Sequence, residues 1–346
     1  MRMRILLLYL LTNTRRYRHW QCYCITFIVI AVMFMFDAAF LTKTTPKTRP
    51  HSRKSLSATQ FFELINSKYG QRRILERVEM EDGTHLFVFD QWSLGKEILV
   101  KRTITGDFVH EHSSVLLETP AELSEINTDT TKWSVQHGLL RTGSCYQLLV
   151  ETVFDSGAIG LSHSSNAKML MIGLGGGIVN GFLHFYIPKM DITVVEISAQ
   201  MVYIARKWFG MHFNDRHRIV IEDGAKFVEK EARNGRKYNA VLIDACDSLP
   251  AENVTIICPV SVFLEESFIK NTAQLMTNTG VAAFNVFSYT LTSDKVRELL
   301  THRFSKYFDY CNTKETKVRN VIFYCMLHRP REEKQIDLMQ FVQNIS

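Results

Sequence analysis

Three glycines, Gly173, Gly175 and Gly177, follow an apolar run, Lys168–Ile172, and a carboxylate, Glu196, closes the next one, Asp191–Glu196. Glycines in such a turn let the backbone approach a ligand, and an acid about 20 residues on accepts the two hydroxyls of a ribose. Further carboxylates follow two later apolar runs: Asp223, just before Gly224, and the pair Asp244 and Asp247 in the segment Asp-Ala-Cys-Asp-Ser. Asp223 suits an adenine amino group, or it caps a helix starting at Ala225; the two roles are compatible. Asp244 suits a positively charged sulfonium or an amine acceptor. Asp247 offers the amine a second partner, or forms a turn with Ser248. No lysine sits in the glycine turn, and neither an H-E-x-x-H nor a G-x-S-x-G segment occurs. The set therefore fits a cationic ligand better than a polyphosphate, and no metal is expected.

These residues need a scaffold that brings strand ends together. Short apolar runs at 168–172, 192–196, 218–222, 240–244 and 281–287 alternate with helical patterns at 179–186, 199–209, 225–233, 263–277 and 294–304. Alternation of this kind requires a mostly parallel sheet covered by helices on both faces, with ligands at the carboxyl ends of the strands. Two last strands, 307–310 and 318–327, are joined by the short polar segment Cys311–Lys317. That leaves no room for a crossover, so they close the sheet as an antiparallel hairpin. A seven-stranded sheet ending in this way differs from the plain dinucleotide-binding arrangement and points away from NAD. A helix over 143–155 precedes the sheet. Ahead of it, Arg73–Val78, an Asp82-Gly83 turn, Leu86–Phe89 and a strand over 97–100 read as a small β-rich subdomain, followed by a polar loop over 120–132.

The chain has 346 residues and a formal charge of +6. Ten basic residues and one acid, Asp37, fall in 1–54, so the remainder carries 31 basic against 34 acidic residues. The folded part is near neutral, which argues against nucleic-acid binding. Residues 20–41 hold a single charge and as a helix would be about 33 Å long, enough to cross a bilayer. The expected organisation is a basic segment (1–19), a transmembrane helix (20–41), a polar tether (42–58), the small β-rich subdomain (59–130), the main domain (131–328) and a tail (329–346). Localisation would then be single-pass membrane, with a lean to the cytosolic face. Asn253-Val-Thr255 matches a glycosylation triplet. The seven cysteines form no dense framework, and those beyond residue 24 read as core or strand residues.

At this point a family resemblance becomes visible. Ile172–Gly177, Val194–Ser198, Asp223-Gly224 and Tyr238–Asp244 with Asp247-Ser248 resemble the spermidine-synthase-like branch of the S-adenosylmethionine-dependent methyltransferase superfamily. Trp133–His137, Trp208–Gly210 with Asp215-Arg216, Phe263–Phe268 and Asn320–Cys325 look most like the C-terminal domain of the methyltransferase-like proteins that modify the amino terminus of translation elongation factor 1 alpha. Clear similarity covers about 130–328, is weak over 59–129 and is absent over 1–58. The resemblance implies a Rossmann-like methyltransferase fold with S-adenosyl-L-methionine as cofactor. Gly173, Gly175 and Gly177 would wrap its methionine end, Glu196 hold the ribose and Asp223 the adenine. Asp244 would sit near the sulfonium and the acceptor, with Asp247, Tyr146 and His137 as further acceptor contacts.

The implied activity is methyl transfer to a protein or peptide amine, a translation factor among the acceptors, and the resemblance permits a homodimer. Polyamine synthases carry an aspartate where this chain has Ile178, and Tyr-His-Glu where it has Tyr146-Gln147-Leu148. Aminopropyl transfer to a polyamine is therefore the alternative. A membrane-tethered scaffold without catalysis is a third reading.

Overall fold

The computed structural model describes residues 55–107, 111–246, 254–317, 319–330 and 337–343. Helix α1 (Ala58–Tyr69) starts on a reciprocal cap: Gln60 N–H donates to the Ser57 hydroxyl, and the Gln60 side chain accepts from Ser57 N–H. Four antiparallel strands follow in sequential order: β1 (Arg72–Glu79), β2 (His85–Leu94), β3 (Ile98–Thr105) and β4 (Glu111–Leu116). Even-numbered residues of β2 and β3 share one face, as a period of two requires. At one end of that face Trp92, Ile98 and Val100 pack with Phe61 and Ile65 of α1 and with Trp133. At the other end Leu86, Val88 and Ile104 pack with Ile204 and Phe209 of the main domain.

Between these clusters lies a buried ion pair. Arg102 donates through Nε and Nη2 to the two carboxylate oxygens of Asp90, both at 2.8 Å. Its guanidinium also donates to the carbonyls of Trp208 and Thr130, both at 2.9 Å. One side chain thus ties the small sheet to the main domain. Sequence patterning gave no sign of it.

The main sheet runs β10-β11-β9-β8-β5-β6-β7. Its parallel part comprises β5 (Lys168–Ile172), β6 (Asp191–Glu196), β7 (His217–Ile221), β8 (Tyr238–Ile243) and β9 (Met276–Phe287). Strand β11 (Asn320–Met326) is antiparallel to both β9 and β10 (Tyr310–Glu315). Met169 and Met171 face one layer, with α2 (Cys145–Asp155) and α3 (Ile178–Tyr186). Leu170 and Ile172 face the other, with α5 (Gly224–Arg233), α6 (Glu266–Leu275) and α7 (Ser293–Phe304). Helix α4 (Ala199–Trp208) links β6 to β7. The expected mostly parallel α/β sheet with an antiparallel closure is present, beside a separate antiparallel sheet.

Several expectations are corrected. Residues 311–315, read as a connection because they are polar, form most of β10, an edge strand whose side chains stay partly exposed. Residues 276 and 277, read as the end of the helix over 263–277, and the unassigned residues 278–280 begin β9. The tail contains a short helix, α8 (Leu338–Gln343). The transmembrane helix expected over 20–41 lies outside the described residues. Among the described residues no helix is long and apolar enough to cross a membrane. The single-pass membrane localisation is accordingly withdrawn.

The cysteine reading also changes, because contacts distant in sequence pair them. Cys246 bonds to Cys258, and Cys311 bonds to Cys325 directly across the β10–β11 ladder. Cys145 is free. Alkylation of the native chain, followed by peptide mass analysis, should leave Cys246, Cys258, Cys311 and Cys325 protected until a reductant is added. Labelling of those four without reductant would contradict the pairing.

Candidate functional site

Strand β5 delivers the glycine turn into the gap between the ends of β6 and β8. Gly173 N–H donates to Val195 O at 2.8 Å, and Asp244 N–H donates to Ile172 O at 2.9 Å. Gly173 sits at φ +93°, and a Cβ there would lie 2.2 Å from the Asp244 carbonyl oxygen. No other residue fits that crossing. Gly177 has a different task. It precedes α3 at φ +74°, and a Cβ on it would run into Met211 Sδ at 2.3 Å.

The strand ends open on a cleft of about 2030 Å³ lined by Gly173, Gly175, Glu196, Asp223, Asp244 and Tyr146, among others. Gly177 is not among its lining residues. Asp247 lies outside the described residues. His137 is not in the lining either; its ring is placed against Gly181 and Gly210.

Glu196 is 9% exposed. Its Oε2 accepts from Leu174 N–H at 2.8 Å and its Oε1 from Ser198 N–H at 3.0 Å. Burial pushes its carboxyl above the usual range, against those backbone bonds. The carboxylate thus braces the glycine turn and still borders the cleft. Asp223 Oδ1 accepts from Ala225 N–H and Lys226 N–H at 2.8 and 3.1 Å, so the capping role is realised at the cleft wall.

Asp244 follows β8 at the cleft floor. Burial raises its carboxyl, and a hydrogen bond from Asn285 Nδ2 to Oδ1 at 2.8 Å opposes the rise. Asn285 Oδ1 in turn accepts from Asn320 Nδ2 at 2.8 Å. On the facing wall the Tyr146 hydroxyl lies 3.3 Å from Ser113 Oγ, and burial pushes it well above its ordinary range. Ser113 Oγ also accepts from Gly176 N–H at 3.1 Å. A residue of β4 therefore reaches across and holds the glycine turn.

Ser113, Asn285 and Asn320 were missed in the sequence. Only Asn285 carried a signal, as a polar residue inside the apolar run 281–287, where a buried amide needs partners. The sulfurs of Cys246 and Cys258 lie within 4.8 Å of an Asp244 carboxylate oxygen, but they are bonded to each other.

The family model of the spermine/spermidine synthase domain matches residues 156–331. The human eEF1A lysine and N-terminal methyltransferase is 30% identical over 179 residues, which is 51% of this chain and 25% of that protein. The polyamine aminopropyltransferase of Vibrio vulnificus is 26% identical over 159 residues, 45% of this chain and 49% of that protein. A probable spermidine synthase from Corynebacterium glutamicum superposes with a TM-score of 0.52 at 14% identity, covering 77% of this chain and 85% of that one. This last likeness is one of fold. The similarity to the human methyltransferase spans about a quarter of that protein's length.

Proposed function

The chain belongs to the spermine/spermidine synthase domain family, and from that premise we propose that it binds S-adenosyl-L-methionine in this cleft and methylates an amine of a protein or peptide. The observation that carries the reading is the convergence of Glu196, the glycine turn and Asp244 on one cleft at three adjacent strand ends. Gly173 and Gly175 form a backbone cradle without side chains. Glu196 accepts the ribose hydroxyls, Asp223 the adenine amino group, and Asp244 faces the cationic end.

When bound, the cofactor supplies an electrophilic methyl group. The protein has to align an amine with it and remove one proton. Asp244 accepts a hydrogen bond from that amine, and Tyr146 stays neutral as a donor. Two features favour this over aminopropyl transfer. Ile178 borders the cleft where polyamine synthases carry an acid. Gln147, at the position of their histidine, is engaged with Gly143 N–H at 2.6 Å and with Glu151 at 2.8 Å.

The acceptor is proposed as a protein amine because the curated relatives carry a lysine and amino-terminal methyltransferase name. Disulfides persist in oxidising compartments, so the two found here weaken a translation factor as the acceptor and favour an amine that shares such a compartment. Calorimetric titration of the folded chain with S-adenosylmethionine should show one saturable site. A flat titration would sink the reading.

A further inference from the structure

The side chains of Asn320, Asn285 and Asp244 form a line from β11 across β9 to the end of β8. Asn285 is 4% exposed, and all three residues border the cleft. An amide has one donating end and one accepting end. Because Asn320 donates to Asn285 Oδ1, the Nδ2 of Asn285 faces Asp244, and Asp244 must accept. The reverse sense would aim Asn285 Oδ1 at Asp244, which could then bond only as the protonated acid.

We propose that Asn320 is a positioning residue for amine methylation: through the orientation of the Asn285 amide it favours the carboxylate form of Asp244 facing the acceptor. This rests on the methyltransferase reading above.

An ammonium group gives one proton to the Asp244 carboxylate. The freed lone pair forms the N–C bond as the electrons of the S–C bond stay on sulfur, and the two remaining N–H protons stay on the product methylammonium. A protonated Asp244 could not take the first proton. The other titratable groups near Asp244 do not substitute for the relay. The Cys145 thiol and Tyr146 hydroxyl of α2 are both pushed up by burial and stay neutral. Glu111 of β4, farther out, is paired with Lys101 at 2.7 Å. Cys246 and Cys258 are bonded and do not titrate. Burial therefore pushes Asp244 toward the acid form, and the amide relay opposes it.

Asn320→Asp is the sharp test, being nearly isosteric. A carboxylate at 320 can only accept, so it draws Asn285 Nδ2 toward itself and turns Oδ1 toward Asp244. The acidic limb of kcat/KM should move up by about one pH unit or more, with the dissociation constant for S-adenosylmethionine changed less than about twofold. Asn320→Leu removes the orienting donor without adding charge and should move the limb in the same direction by less. Should Asn320→Asp fail to fold, the leucine variant carries the test.

The titration of the Asp244 carboxyl, followed by carbon-13 resonance in the full chain, reads the same effect without turnover. It separates failure of the relay from failure of the methyltransferase reading. A raised midpoint in either variant supports the relay even if no acceptor is methylated. An unmoved midpoint in both overturns it.

Discussion

Arg102→Met should cost the folded chain about 3–5 kcal/mol, because it strands a buried aspartate without its counter-charge. Asp90 is fully buried and Arg102 is 3% exposed, so water cannot replace the lost partner. The carbonyls of Thr130 and Trp208 lose a donor at the same time. The double variant Asp90→Leu with Arg102→Met should recover much of the loss, since a buried pair replaced by apolar groups is often neutral. Denaturant unfolding of the parent chain, Arg102→Met and the double variant measures both effects. A single-variant loss under about 1 kcal/mol would place the pair among ordinary surface bridges and contradict the clasp. The consequence reaches the site, because β3 positions β4, and Ser113 of β4 holds the glycine turn.

Glu196→Ala should weaken S-adenosylmethionine binding at least tenfold. In the proposed pocket this removes two ribose hydrogen bonds to a charged acceptor, each contributing roughly 1.5–3 kcal/mol. The same carboxylate accepts from Leu174 and Ser198 backbone N–H groups, so the alanine variant should also lose some stability. Glu196→Gln separates the two effects. It keeps an accepting oxygen for one backbone bond and removes the charge, so its stability loss should be smaller than that of alanine while binding still falls. Calorimetric titration alongside thermal unfolding reads both quantities. Unchanged cofactor affinity in folded Glu196→Ala would show that the pocket is assigned wrongly.

The parts of the molecule legible from sequence are those written in local period and turn chemistry. Alternating, largely apolar runs of five to seven residues marked the parallel strands, and Gly173 with Glu196 marked the crevice between β5 and β6. Edge strand β10 escaped because Asn312, Thr313 and Lys314 look like loop when only one side of a strand is covered. The Asp90–Arg102 clasp, the Ser113 contact and the Asn320–Asn285–Asp244 relay escaped for a different reason. Each joins residues that only tertiary packing brings together; Asn285 stood out as a polar break in an apolar run, but nothing in the sequence named its partners. The disulfides follow the same logic: Cys311 and Cys325 become partners only through the β10–β11 register. The membrane reading rested on the length and near absence of charge of 20–41, a segment outside the described residues, and none of the described helices is long and apolar enough to cross a membrane.

Methyl transfer itself tests the central claim most directly. The full chain is incubated with S-adenosylmethionine tritiated on its methyl group and a protein extract from its source cells. Label should enter protein, resist acid, and map by mass spectrometry to a methylated amine. The same chain given decarboxylated S-adenosylmethionine and putrescine should not extend the putrescine. Absence of protein label, or formation of spermidine in the second incubation, would contradict the account.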